Sequence, residues 1–145
     1  MVELKAGVDL PFRTFAEGAA SGTAVVSAEP ISFAGEFDAA TGVVVGRRSA
    51  LRGECLTGRI LVYPYGRGSS STSSILAEAL RRGTAPAALV NVSVEHITVV
   101  AALVARKLFG KSLPIIAVAP DLLSRLRTGD RLQIDTARGI FRYHA

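Results

Sequence analysis

A run of hydroxyl side chains follows a glycine-rich turn in the middle of this sequence. Residues 65–76 read YGRGSSSTSSIL and come directly after the apolar stretch RILVYP. Such a run can be a flexible linker, a cradle for an anion, or the carrier of a reactive serine. A linker is excluded because a strand-like apolar run precedes the serines and a helix-like pattern, with Gly83 at its end, follows them.

The junction between a buried strand and a helix is suited to holding an anion. Free backbone N–H groups and the positive end of the helix dipole meet there. Gly66 and Gly68 allow unusual backbone conformations and a close approach of a ligand. The stretch contains neither the phosphate-binding Gly-x-x-x-x-Gly-Lys pattern nor the Gly-x-Ser-x-Gly nucleophile pattern. A serine-rich capping loop without chemistry therefore stays open as an alternative.

The flanking sequence indicates the elements that position this turn. Apolar or β-branched runs predict strands at 22–31, 43–45, 58–63, 87–92 and 113–118, and two more near the end, DRLQID and GIFRYH. Apolar spacing predicts a helix over 75–82 and another over about 94–109, with a short helix after Pro120. In the second helix, one face carries Ile97, Val100, Ala101, Val104 and Leu108. The alternation of strand and helix predicts an α/β fold with parallel strands.

Composition limits the classes of function. The 145 residues, 49% of them hydrophobic and 20% charged, predict one globular domain over 1–145. The formal net charge of +5 suits an anionic substrate or an acidic partner, but no basic run or aromatic series predicts nucleic-acid binding. No segment suggests a signal peptide or a membrane span, so we expect a soluble cytoplasmic protein with no membrane partner. A single cysteine, Cys55, excludes a self-sufficient thiolate metal site.

Several motifs, in order and spacing, resemble the small subunit of the aconitase X family. They are PISFAGEFDAATG, LRGECLTGRI, LVYPYGRGSSSTSSILAEAL and APAALVN. The resemblance implies a swivelling β/β/α three-layer domain with a central, largely parallel sheet, similar to the swivel domain of aconitase. In aconitase itself an arginine follows the two serines, whereas Ser71 stands there in this sequence. That departure argues against citrate or isopropylmalate as the substrate.

The same resemblance implies a division of labour between two chains. A large catalytic subunit would carry a [4Fe-4S] or related iron–sulfur cluster, and this chain would form a heterodimer with it. Ser69 would accept the proton, and Gly66, Arg67, Gly68, Ser70 and Ser32 would bind the substrate. The metal would come from the partner, since clusters normally need three or more cysteine ligands.

Within the family, the separate small subunit and the basic charge favour a hydro-lyase acting on a phosphorylated hydroxy acid. The expected reaction converts (R)-5-phosphomevalonate to trans-anhydromevalonate 5-phosphate in an archaeal-type mevalonate pathway of isoprenoid synthesis. The alternatives are a hydroxyproline dehydratase subunit and a non-catalytic phosphate-binding module.

Three further residues, in loops expected near the carboxyl ends of the strands, have plain structural interpretations. Ser32 is typical of a turn hydroxyl bonded to its own backbone, if it is not at the rim of the active site. Glu95 is typical of a group that caps the start of the second helix or compensates its dipole. His96 is expected to be a solvated residue at that helix start.

Overall fold

The computed structural model describes residues 4–68 and 71–144. Ser69 and Ser70, two of the predicted site residues, lie outside the described residues. The strands are β1 (Arg13–Ala16), β2 (Ala19–Val26), β3 (Phe37–Asp38), β4 (Val43–Val44), β5 (Ile60–Val62), β6 (Ala88–Asn91), β7 (Ile115–Ala117), β8 (Arg131–Asp135) and β9 (Ile140–His144). The helices are α1 (Phe33–Glu36), α2 (Ser71–Arg82), α3 (His96–Phe109) and α4 (Pro120–Leu123).

The main sheet of the described chain has the strand order β1-β7-β6-β5-β2-β8-β9. Strands β2, β5, β6 and β7 are mutually parallel. The continuous apolar sequences of β5, β6 and β7 predicted this for those three strands. Strands β1, β8 and β9 join antiparallel at the two sides. The carboxyl ends of the four parallel strands therefore lie along one edge of the sheet.

Each parallel strand contributes side chains to two separate hydrophobic cores. On one face, Val25, Leu61 and Leu89 pack with residues of α2 and α3. On the opposite face, Ala24, Ile60, Val62 and Val90 pack with Leu132, Ile134 and Phe141 of β8 and β9. The curled sheet thus gives a β/β/α arrangement of three layers, which confirms the predicted fold class.

Helix α2 is longer than its apolar spacing predicted. It begins at Ser71, so the later serines of the run form its first turn. Thr72 and Leu76 are buried, while Ser74 is exposed and its hydroxyl donates to the carbonyl of Ser71 at 3.0 Å. Serine has a weak intrinsic helix preference, and burial of Thr72 and Leu76 outweighs it here.

The buried face of α3 is not the face that the apolar spacing indicated. Thr98, Ala101, Ala102 and Ala105 are buried, whereas Val100, Leu103, Val104 and Leu108 are 39–68% exposed. Small alanine side chains let α3 lie close against α2, and this packing rotates the larger residues outward. Gly110 ends the helix with φ of 63°, as the sequence predicted.

Other segments differ locally from the sequence-based expectation. The stretch 32–42, predicted as a loop, contains α1 and β3, and β3 pairs antiparallel with β4. Strand β1 was not predicted, since RTFA carries no alternating pattern that distinguishes it from a loop. Among the described residues, no helix combines the length and the apolar character needed to cross a bilayer.

Candidate functional site

Three connections meet at the carboxyl edge of the parallel strands. They follow β2, β5 and β6 and carry Ser32, Arg67 and Glu95 respectively. The first two are joined by a bridge between Ile31 and Gly66, in which the Arg67 N–H donates to the carbonyl of Ile31 at 2.9 Å. The second and third are joined because the N–H groups of Val92 and Ser93 both donate to the carbonyl of Pro64. This edge is where α/β folds bind ligands.

Glu36 is a buried carboxylate that organises the first connection. Its side chain reaches back over α1 and accepts a hydrogen bond from the backbone N–H of Ser32 at 2.5 Å. Only 7% of the residue is exposed, and Gly46 leaves room for it, since a Cβ there would lie 2.8 Å from its Cγ. The Ser32 hydroxyl caps no helix and has no hydrogen bond within the described residues. The interpretation of Ser32 as a turn hydroxyl bonded to its own backbone is therefore wrong.

The same Glu36 carboxylate anchors Arg67 on the neighbouring connection. The Arg67 Nη2 donates to Glu36 Oε2 at 3.0 Å, and the arginine side chain is 59% exposed. Burial would raise the pKa of Glu36, but hydrogen bonds from Ser32, Ser49 and Arg67 outweigh it and hold that pKa below its ordinary value. A Glu36 carboxylate that is ionised at neutral pH thus fixes one end of a guanidinium whose side chain is more than half exposed to solvent.

Gly66 and Gly68 serve a different purpose from the one that the sequence suggested. Neither has a positive φ, so neither requires the left-handed backbone that glycine favours. A Cβ on Gly66 would lie 1.7 Å from Glu95 Oε1, and a Cβ on Gly68 would lie 3.0 Å from Glu95 Oε2. The two glycines allow a close approach, as expected, but the group that approaches them is the carboxylate of Glu95.

Glu95 does not act as a helix cap. It occupies the N-cap position of α3, but its side chain makes no capping hydrogen bond. Within the described residues the carboxylate has no ion-pair partner, and burial alone raises its pKa above the ordinary value. Of the two roles predicted for Glu95, capping is therefore wrong, because the side chain turns toward the glycine turn, and compensation of the helix dipole stays a prediction. His96 is exposed, as predicted.

Two buried polar residues lie beneath this arrangement. Asn91 is 1% exposed, and its side-chain amide donates to the carbonyl of Tyr63 at 2.9 Å, which joins the ends of β5 and β6. The Tyr63 hydroxyl is fully buried and has no hydrogen-bond partner in the described chain. Burial raises the pKa of Tyr63, and the negative charge of Glu95 raises it further.

The structure brings together the described members of the predicted set. Ser32 and Arg67 share the Glu36 carboxylate, and Gly66 and Gly68 contact Glu95. The predicted members Ser69 and Ser70 directly follow this turn in sequence but lie outside the described residues. Sequence reasoning missed Glu36. The signal that could have indicated it was an acidic residue within the predicted loop 32–42.

The residues of this chain do not fit an iron–sulfur cluster. The sequence has one cysteine, Cys55, which is exposed on the loop between β4 and β5. In the parts of the chain that the structure describes, no three His, Cys, Asp or Glu side chains are grouped to hold a metal ion. The available donors thus fall short of the cysteine ligation that such clusters require.

Comparison with known proteins identifies relatives of nearly the whole chain. The sequence profile of the aconitase X swivel domain matches residues 9–143. The phosphomevalonate dehydratase small subunit of Methanococcoides burtonii is 32% identical over 133 residues, which are 91% of this chain and 93% of that protein.

Two further comparisons extend this result. The cis-3-hydroxy-L-proline dehydratase of Pseudomonas aeruginosa is 42% identical over 103 residues, which are 71% of this chain but 18% of that protein. A crystal structure of aconitase X from Thermococcus kodakaraensis, in its holo form, superposes with a TM-score of 0.84 at 29% identity. That match covers 96% of this chain and 100% of the other chain.

Proposed function

This chain belongs to the aconitase X swivel domain family, and from that premise we propose that it is the small subunit of a phosphomevalonate 5-dehydratase. The enzyme is a hydro-lyase that removes water from (R)-5-phosphomevalonate to give trans-anhydromevalonate 5-phosphate. The product serves an archaeal-type mevalonate pathway. The name of the Methanococcoides burtonii relative, which matches over nearly its full length, supports this assignment.

The observation that carries the proposal is the anchored guanidinium of Arg67. Glu36 holds one Nη of Arg67, and the side chain stays more than half exposed at the ligand edge. An arginine pre-organised by a buried carboxylate loses little freedom when it binds an anion. A phosphorylated hydroxy acid offers both a phosphate and a carboxylate to such a group. Gly66, Gly68, Ser32 and Ser70 complete the proposed contacts with the substrate.

Ser69 is the proposed proton acceptor. A serine hydroxyl is neutral near pH 7, so it removes a proton from carbon only if donors stabilise the alkoxide form. In sequence, Ser69 stands between the glycine turn and the first residue of α2, Ser71. The N-terminus of that helix supplies backbone N–H groups and a positive dipole end, which favour an anionic oxygen.

The proposed enzyme is a heterodimer with a large catalytic subunit. The iron–sulfur cluster that the family implies is assigned to that partner, because this chain lacks the ligands for it. The active site is then formed by both chains, and this chain contributes the anion-binding turn and the serine. Activity requires the two subunits together.

A second candidate is the small part of a hydroxyproline dehydratase. The Pseudomonas aeruginosa relative favours it, since it has the higher identity over the matched residues. Hydroxyproline has a carboxylate but no phosphate, so its binding needs a site for the carboxylate alone. A stand-alone phosphate-binding module is the third candidate, and it predicts tight binding of the phosphorylated ligand by this chain alone.

The decisive experiment is to purify this chain with its large subunit and assay dehydration of both substrates. We expect turnover of (R)-5-phosphomevalonate and none of cis-3-hydroxy-L-proline. Substitution Ser69→Ala should leave the complex assembled and lower kcat by about 100-fold or more. Ser74→Ala is the matched control, because that hydroxyl is exposed on α2 and bonds only locally.

Each candidate gives a different result in this assay. Turnover of hydroxyproline alone would select the second candidate. Ligand binding without any dehydration would select the third. Full activity of the Ser69→Ala complex would overturn the assigned role of Ser69, whichever substrate is turned over.

A further inference from the structure

The connection between β4 and β5 contains a compact, arginine-rich loop, residues 45–53, which we call the arginine loop. Its two ends are held together, because the Val44 N–H donates to the carbonyl of Glu54 at 2.9 Å and the Gly53 N–H donates to that of Val44 at 2.8 Å. Between these ends the side chain of Leu51 is buried in the core. The loop is therefore a fixed part of the fold.

The arginine loop is attached to Glu36, the carboxylate that holds Arg67. The N–H groups of Val45 and Gly46 both donate to the Glu36 carbonyl, at 2.7 Å and 3.2 Å. Further along the loop, the Ser49 side chain is hydrogen-bonded to the Glu36 carboxylate. The loop and Arg67 thus share one anchor, and the loop lies beside the ligand edge.

Three arginines of this loop have no partner of opposite charge. Arg47, Arg48 and Arg52 are exposed, and none of them forms an ion pair or a side-chain hydrogen bond within the described residues. The two arginines of α2 differ, since both pair with a glutamate of the same helix. The acid that follows the loop, Glu54, pairs with Arg59. The loop therefore presents positive charge that this chain leaves uncompensated.

Exposed apolar side chains accompany these charges. Val45, at the start of the loop, and Tyr65, on the connection that carries Arg67, are both about half exposed. Tyrosine and arginine are enriched in protein–protein interfaces, and they supply many of the side chains that dominate binding. The surface beside the ligand edge thus has the composition of an interface, with apolar side chains next to positive charges.

We propose that the arginine loop, together with Tyr65, is a docking surface for an acidic patch on the large subunit. The inference rests on the proposed function, in which the large subunit completes the active site at the ligand edge. A partner that reaches Arg67 must approach the connections beside it. Every charged side chain of the arginine loop is positive, so an acidic surface complements it.

The charge of the loop disfavours other occupants. In a two-fold symmetric dimer the same patch is present on both sides of the interface. The arginines of one copy would then face those of the other, and like charges oppose association. A single strand of nucleic acid is also anionic, but the surface offers one aromatic side chain, Tyr65, for a base to stack on.

The test measures the affinity of this chain for the large subunit as a function of salt. Arg47→Glu/Arg48→Glu reverses two charges of the loop and should raise Kd about 10-fold or more at about 50 mM salt. The increase should shrink at about 0.5 M salt, since ions screen exposed charges. Arg131→Glu/Arg138→Glu is the matched control, because it makes the same change of net charge at exposed positions of β8 and the turn after it. We expect the control to keep the wild-type Kd.

A second variant tests the apolar part of the surface. Tyr65→Ser removes an exposed aromatic ring without changing charge, so it should raise Kd by a similar factor at low and at high salt. Leu108→Ser is its control, because that exposed side chain is on α3 and outside the proposed surface. An increase of Kd in Leu108→Ser without one in Tyr65→Ser would place the partner on α3 and overturn the inference.

Hydrogen exchange locates the surface without any substitution. The N–H groups of Arg47 and Arg48 donate no hydrogen bond within the described chain, so they should exchange rapidly in the free protein. In the complex with the large subunit, exchange of the peptide that covers 45–53 should become slower. The exposed turn at 137–139 should exchange equally fast in both states. Protection that is absent from the arginine loop would contradict the proposed docking surface.

The same experiments separate this inference from the proposed function. Arg47→Glu/Arg48→Glu that binds the large subunit as tightly as wild type at low salt would overturn the surface. So would self-association of the free chain that is lost in this variant, or tighter binding of single-stranded RNA than of the large subunit. A wild-type complex that does not dehydrate 5-phosphomevalonate would instead overturn the proposed substrate, and its Kd values would still decide the docking surface. Absence of any complex would overturn the heterodimer and the surface together.

Discussion

At the scale of residues, Glu36 and Glu95 show how burial affects two carboxylates differently. Both are withdrawn from water, which by itself raises a carboxyl pKa. Glu36 receives hydrogen bonds from Ser32, Ser49 and Arg67, and these lower its pKa. Glu95 receives none in the described chain, and its pKa is raised. One carboxylate is therefore a fixed anion that holds an arginine, and the other is available to take up a proton.

The lowered pKa of Glu36 predicts a pH-dependent contribution to stability. Its ordinary value is 4.5 and its folded value is lower, so its stabilisation is complete above 4.5 and is lost as pH falls through the folded-state pKa. Glu36→Gln should lower the free energy of unfolding by about 1–3 kcal/mol at neutral pH. The difference from wild type should shrink in acid. Urea unfolding at neutral and acid pH measures both effects.

An exposed ion pair provides the comparison for Glu36. Glu54 pairs with Arg59, and its side chain is 45% exposed. Glu54→Gln should change the free energy of unfolding by no more than about 1 kcal/mol, since solvent screens exposed pairs. A loss in Glu36→Gln that is equally large at both pH values would contradict the assigned ionisation.

At the scale of elements, α2 and α3 show that apolar spacing does not by itself identify the buried face. The buried set on α3 is Thr98, Ala101, Ala102 and Ala105, which also follows helical spacing but is shifted by one residue. The larger apolar side chains lie outside. Close contact between two helices favoured the small side chains at their interface.

The rotated face of α3 predicts a large effect for one substitution and a small effect for another. Ala101→Leu adds volume to a fully buried position and should lower the free energy of unfolding by about 1–3 kcal/mol. Leu108→Ser changes a residue that is 68% exposed and should alter that energy by no more than about 0.5 kcal/mol. Urea unfolding of the two variants checks the orientation, and a reversed order of effects would show that α3 is turned the other way.

The parallel strands were predictable from the sequence, and the side-chain arrangement of the site was not. Strands β5, β6 and β7 are short apolar runs bounded by polar residues, and local pattern suffices to find them. The contact between Glu36 and Arg67 joins residues 31 positions apart. Whether a carboxylate faces a turn or caps a helix depends on such distant contacts, which is why Glu36 was missed and Glu95 was misinterpreted.

At the scale of the whole molecule, β2 joins the two halves of the sheet. It pairs parallel with β5 through residues 24–26 and antiparallel with β8 through residues 19–23. The same strand then leads into the connection that carries Ser32 and α1. The antiparallel strands β8 and β9 pack over one face of the parallel strands. The ligand edge is formed by the connections that follow the parallel strands β2, β5 and β6.

The N-terminal segment runs alongside β9, the last strand. The Gly7 N–H donates to the carbonyl of Tyr143 at 2.9 Å, the Leu10 N–H donates to that of Phe141 at 2.7 Å, and Asp9 pairs with Arg142. Residues near both ends of the described chain are therefore neighbours in space, beside the outermost strand β9.

Because the two ends are close together, the connectivity of the chain can be changed without changing how its strands and helices pack. A short glycine-rich linker from position 144 to position 5, with new ends opened in the exposed stretch 110–112, should give a circular permutant that folds to the same sheet. Its amide NMR spectrum should match wild type except near the new junctions, and loss of dispersion would show that the native ends are needed. By the same geometry, a tether attached near either end would join a larger polypeptide to this domain beside β9, a strand that does not contribute to the ligand edge.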